Sequence, residues 1–236
     1  MKKYQLLSII LVVLALLSGC MLPESERAGN QIPYGDQLNT VQNAVDQYRE
    51  ATGGLLPIKT RDMDVDQYIK YPVDFSKIVP DYTAEIPPNA FETGGIYQYV
   101  LMDVEEAPTV KLVDLRVAEA IRSINIRKNA NGGRAPISET VADNVYKFNY
   151  EAMGFSEEQT VSSPYSGREL PFVVTGSGDV YIDYTMDLYT AIQEYEGSLE
   201  AGQDIRFLLY EESPIVPAYS LPYTIDENNE PVFMNS

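Results

Sequence analysis

Ile96–Val104 (IYQYVLMDV), Glu105–Pro108 (EEAP) and Thr109–Val113 (TVKLV) follow one another without a break. The two outer segments are rich in aromatic and β-branched residues, which suit a pleated, half-buried strand. The short polar piece between them, ending in Pro108, has the chemistry of a hairpin connection. An antiparallel hairpin is therefore predicted over 96–113. Asp114 follows at once and can cap a helix through its carboxylate. Val117, Ile121 and Ile124 give that helix its apolar face. Asn131-Gly132-Gly133 stops it, because glycine adopts the left-handed backbone that closes a helix.

Working outward, the same plan recurs. Upstream, Asp36 can cap a helix whose face is Leu38, Val41, Val45 and Tyr48, with Gly53-Gly54 at its end. Downstream, Leu170–Thr175 (LPFVVT) and Val180–Tyr184 (VYIDY) form a second hairpin across Gly176-Ser177-Gly178-Asp179, and Leu188, Ala191, Ile192 and Tyr195 mark a third helix. Gln67–Ile78 and Asn144–Tyr150 are mixed; the first reads as a short strand followed by a helical turn. Ile205–Tyr210 and a last run, Pro231–Met234, complete the chain.

Gly53-Gly54-Leu55-Leu56-Pro57-Ile58 returns as Gly132-Gly133-Arg134-Ala135-Pro136-Ile137, 132 − 53 = 79 residues later. In that register Val45 meets Ile124. A two-residue adjustment then sets Lys70 against Lys147 and Tyr71 against Phe148. Each hairpin runs on to an Asp-Leu pair, Asp114-Leu115 and Asp187-Leu188. The expected fold is α+β, with repeated modules of a helix plus an antiparallel β-hairpin. Two modules are full, 37–113 and 114–186, and one is truncated, 187–236. Glycine and proline are common after any helix, so a chance match is the competing explanation of the repeat.

The amino terminus sets the expected location. Lys2 and Lys3 precede the uncharged run Leu6–Leu17, and Leu17-Ser18-Gly19-Cys20 closes it. Twelve residues of helix rise roughly 18 Å, short of the ~30 Å hydrocarbon core. Residues 1–20 are expected to be a lipoprotein signal peptide with a lipobox, and Cys20 the site of lipidation. Two or more acyl chains hold a protein stably at a membrane, whereas one does so marginally. A plain secretory signal with an incidental cysteine is the alternative. Residues 21–36 are polar and read as a tether. The expected localisation is the extracytoplasmic face of the cell membrane.

Composition narrows the chemistry. Cys20 is the only cysteine, so no intramolecular disulfide can form. Removing Lys2 and Lys3 leaves 17 − 2 = 15 basic against 35 acidic residues, a balance of −20 that argues against nucleic acid as a partner. The sequence has no histidine. Ser-His-Asp and Cys-His catalysis therefore lack their base, and zinc or haem sites lack their usual ligands. No phosphate-binding Gly-rich pattern occurs, and Gly176-Ser177-Gly178 reads as a turn. Carboxylate-dependent hydrolysis survives this elimination, but the acids are too many for sequence to select a pair. The chain is thus expected to be no enzyme and to need no cofactor.

Asp62-Met63-Asp64-Val65-Asp66 alternates carboxylates as an EF-hand loop begins, which makes Asp62, Asp64 and Asp66 candidate ligands of a calcium ion. Gln67 then stands where the turn glycine belongs and Val73 where the bidentate glutamate belongs. A solvated acidic loop is the competing reading, and Asp226–Glu230 (DENNE) reads as a turn. Tyrosine is abundant, with 18 copies. Tyr97, Tyr99, Tyr181 and Tyr184 fall on predicted strands, where packing is the first explanation and an aromatic binding face the second.

Two resemblances accompany these readings. Ala44–Tyr48, Pro57, Pro87–Phe91 and Tyr97–Tyr99 resemble the soluble part of type II secretion and type IV pilus pseudopilins. The lipobox departs from that family, so the resemblance implies no pilus assembly. As a whole chain the sequence resembles the YphF-type lipoproteins of Bacillus relatives, which implies location and no activity. The expected function is a non-enzymatic interaction or scaffold module at the envelope, partnered by the membrane through its lipid and by an envelope protein. The alternative is a small-molecule or cell-wall glycan binder with its cleft between modules, assisted by calcium.

Overall fold

The central hairpin forms where the sequence places it. Strands β1 (Tyr97–Met102) and β2 (Thr109–Asp114) pair antiparallel, with Tyr97 opposite Asp114 and Met102 opposite Thr109. The first strand ends before Val104, because Asp103 takes a positive φ of 51° and turns the chain. This computed structural model describes residues 34–59, 61 and 65–234. It has helices and antiparallel sheets, an α+β fold. The chain divides into Met1–Gln37 and Leu38–Ser236, and every described strand lies in the second unit.

Helix α1 (Tyr34–Ala51) has Asp36 in its first turn rather than ahead of it. Val41, Ala44 and Val45 are its buried stripe. Its Gln42 side chain accepts from the Val110 amide at 2.7 Å and donates to the Pro108 carbonyl at 3.0 Å, which fixes the helix against the hairpin. Helix α2 (Leu115–Ala130) is capped as expected: Asp114 Oδ1 accepts from the Arg116 amide at 3.0 Å, and Val117 and Ile124 are buried.

Between α1 and β1 the expected order of strand then helical turn gives way to another. A 3₁₀ turn covers Gln67–Ile69, single bridges follow at Pro72 and Val73, and a second 3₁₀ turn covers Phe75–Lys77. Asp66 and Asp74 cap the two turns through their carboxylates, which favours short helical pieces over a strand. Ile58 bridges Val73, and Pro72 bridges Val100 of β1, both antiparallel.

The second half pairs in the same order. Strand β3 (Ile137–Ala142) pairs with β4 (Val145–Phe148), β4 with β6 (Glu169–Thr175), and β6 with β7 (Val180–Ile182). A short β5 (Thr160–Ser162) also pairs with β6. Ile137 lies opposite Phe148 as Ile58 lies opposite Val73. Tyr146 lies opposite Val174, and the Tyr71 carbonyl accepts from Leu101 of β1 at 2.9 Å. Pairing thus sets Tyr71 against Tyr146, not Phe148. Helix α3 (Thr185–Glu194) opens at Tyr184, and the carboxylate of Asp183 ahead of it accepts from the Thr185 amide at 2.9 Å. Asp187 is buried within the helix and holds Ser163 and Ser166 at 2.6 Å each, so the counterpart of Asp114 in sequence is not its counterpart in role.

The remainder ties the halves together. Ile205–Tyr210 contains a short helix, α4 (Phe207–Tyr210). Strands β8 (Tyr223–Ile225) and β9 (Pro231–Phe233) close the chain as a third hairpin. Between them and α4, residues 214–220 run parallel to both earlier hairpins: Ile215 bridges Leu112 and Ser220 bridges Ile182. Leu112 donates to the Pro214 carbonyl at 2.8 Å and accepts from Val216 at 2.9 Å, and Ile182 donates to Tyr219 at 2.9 Å.

Burial follows from this arrangement. Tyr99, Leu101, Val110 and Leu112 pack with Val41 and Val45 on one face of the first hairpin. Val100, Met102 and Val113 pack with Tyr68, Val216 and Ala218 on the other. A larger core gathers Ile124, Phe172, Val174, Ile182, Leu188 and Tyr223. A hairpin covered on both faces reads as a nearly continuous apolar run, and YQYVLM does.

Candidate functional site

The first hairpin's tip and the segment ahead of it enclose a groove of about 340 Å³. One wall begins at Asp66. Its Oδ1 accepts from the Tyr68 amide at 3.1 Å, and its Oδ2 accepts from the Tyr219 amide at 3.3 Å. Those bonds hold the turn that presents Gln67. Burial raises the Asp66 carboxyl above the usual range, against the pull of the two amides and of Arg206. Arg206 stands 4.9 Å from the centre of the Tyr68 ring and grips Asp204, with Nη2 2.7 Å from Oδ2. It also donates to the Ser220 carbonyl at 2.8 Å. Tyr71 completes this wall, with Lys70 Nζ 5.5 Å from its ring centre.

The hairpin tip supplies the other wall. The Asp103 carbonyl accepts from Glu106 at 3.2 Å and from Ala107 at 3.0 Å, which shapes the turn. Tyr71 and Val104 are half-buried and make the floor, with Leu101 and Met102 buried behind it; Asp103, Glu105 and Glu106 are exposed at the rim. Among the described residues none of these three carboxylates has an ion-pair partner. The neighbouring cation, Lys111, is committed elsewhere, donating to the carbonyls of Tyr210 and Ser213 at 2.8 Å each. Burial holds the Lys111 amine below its ordinary value, and Asp103 opposes that shift. The groove is therefore apolar below and negative above.

The second half has a groove in the corresponding place, of about 490 Å³, lined by Tyr146, Val174 and the turn Gly176-Ser177-Gly178. Its charged lining residue is Arg134, and Lys128 donates to the Gly178 carbonyl beside it. The two grooves share their tyrosine and their position against a hairpin but not their charge.

Cys20, Asp62 and Asp64 lie outside the described residues. Asp66 is described, and both of its oxygens accept backbone amide hydrogens. Among the described residues no group of three or more acidic, histidine or cysteine side chains is arranged to hold a metal. Tyr97, Tyr99 and Tyr184 are buried and Tyr181 is half-buried, so the first three serve packing. The Tyr99 hydroxyl donates to Asn89 Oδ1 at 2.8 Å. Gly176-Ser177-Gly178 is the turn between β6 and β7, and Asp226 Oδ1 accepts from Asn228 and Glu230 to form the turn between β8 and β9. In the sequence Glu105 and Glu106 read as a hairpin connection only. Their place on a rim depends on Tyr71, which pairing brings to them.

Among the described residues no helix is long and apolar enough to cross a membrane. No curated protein and no solved structure matches the chain. Residues 34–114, which include every residue lining the Tyr71 groove, match the model of the YphF family N-terminal domain.

Proposed function

We propose that this chain is a membrane-anchored extracytoplasmic lipoprotein acting as a non-enzymatic interaction module at the cell envelope. The lipobox Leu17-Ser18-Gly19-Cys20 supports the anchor. The observation that carries the interaction reading is the Tyr71 groove, a preformed recess with an apolar floor and carboxylates not committed to ion pairs. Such a recess suits recognition, in which apolar area supplies affinity and a few polar groups fix orientation. The lack of histidine removes the commonest general base. The pairing order shared by 58–114 and 137–182 supports duplication of one ancestral module, with the charge of its groove altered in one copy.

Affinity purification of the full-length protein from detergent extracts, with and without crosslinking, tests this reading. The expected result is an envelope protein recovered reproducibly with the wild type. Recovery of none under either condition would contradict it.

A further inference from the structure

We propose that the Tyr71 groove takes an extended segment of a protein partner bearing lysine or arginine side chains; this rests on the interaction reading above. Tyr71 and Val104, both half-buried, offer apolar surface at the base of an opening of about 340 Å³, with Leu101 and Met102 buried behind them. Long basic side chains lay their methylene stems on such surface while the charged head stays at the wet edge. The edge here carries Asp103, Glu105 and Glu106. A small free amine would satisfy that rim but leave the floor uncovered. An apolar segment without charge would cover the floor and leave the carboxylates with nothing to pair with.

Among the described residues no ion pair closes this rim, though Lys111 feels the charge of Asp103. Lys111 spends its ammonium on the Tyr210 and Ser213 carbonyls, and Lys70 lies over the Tyr71 ring. The corresponding groove beside Tyr146 gives the contrast. Gly176, Ser177 and Gly178 stand in its turn and Arg134 is at its edge, so the same recess there does not attract a cation. Recognition of a basic segment is thus assigned to one groove and not to the general acidity of the chain.

The test uses the full chain in nonionic detergent and a fluorescently labelled hexapeptide of alternating lysine and serine, read by anisotropy. The wild type is expected to give saturable binding that weakens with salt. The triple variant D103N/E105Q/E106Q should lose roughly tenfold or more in affinity, because rim charges act together in steering and orienting a ligand. Asparagine accepts the positive φ at Asp103, so this variant keeps the turn, which a circular dichroism melt checks. A second triple, E196Q/E200Q/E227Q, removes equal charge from exposed positions elsewhere and should stay within about twofold of the wild type. Equal losses in the two triples, absence of saturation, or displacement by putrescine at concentrations matching the peptide would each overturn the proposal. Purification of the same envelope partner by D103N/E105Q/E106Q as efficiently as by the wild type would remove the groove while leaving the interaction reading intact.

Discussion

Tyr99 shows how a side chain that looks like a binding residue is committed to the core. It is buried, its hydroxyl is held by Asn89, and burial pushes its phenol up to about 12 from an ordinary 10.0. A folded-state value above the unfolded one contributes stability that is whole below pH 10.0 and is lost as the pH climbs toward about 12. Burial raises Tyr68, Tyr150 and Tyr184 in the same direction. In an alkaline titration these buried tyrosines should therefore ionise only with loss of near-ultraviolet dichroism. Smooth ionisation of every tyrosine with the fold intact would contradict this. Arg206 tests the cluster behind Asp66. Its side chain is buried while Asp204 is 31% exposed, so Arg206→Met should cost about 3 kcal/mol, the low end for breaking a buried pair, by urea denaturation. The packing role of Tyr97 and Tyr99 was legible, since residues on a strand alternate faces and most must pack. The rim role of Asp103, Glu105 and Glu106 was not, because local sequence does not show which distant segment will lie beside a turn.

At the scale of elements, both long hairpins and the helix ends at Asp114 and Asn131-Gly132 were legible, because each has a turn signal next to a clear periodicity. Strand β3 was not. All of its residues but Ala142 are exposed, and Ile137 is 52% exposed, so no burial pattern marks it. It is a strand through pairing with β4, across two register shifts. Residues 214–220 were hidden for another reason. Pro214 and Pro217 argue against a central strand, yet the hairpins use the Val216 amide and the Pro214 and Tyr219 carbonyls, none of which proline removes. Val216→Pro removes the donor to the Leu112 carbonyl and leaves that buried oxygen unpaired. The expected loss is about 2 kcal/mol or more, with faster hydrogen exchange at Leu112. A change within about 0.5 kcal/mol, as for an ordinary surface position, would show that this segment does not bind the hairpins together.

At the scale of the molecule, the modules proposed from sequence are linked. The region matched by the family model, 34–114, places Leu112 against Ile215 and Val113 beside Val216 from the far end of the chain. Produced alone, 34–114 should have an open edge at β2 and melt well below the intact chain. A synthetic peptide covering 211–221 should raise that melting temperature on addition. A fragment as stable as the whole, and indifferent to the peptide, would mean that the first half folds independently. The groove, the tie and the acidic surface all bear on function only if this body is held outside the cell. Intact-mass spectrometry of the protein purified from native membranes measures that directly. The expected result is a chain beginning at Cys20 with a diacylglyceryl mass on its sulfur; a chain that retains Met1 with Cys20 unmodified would contradict the lipid anchor.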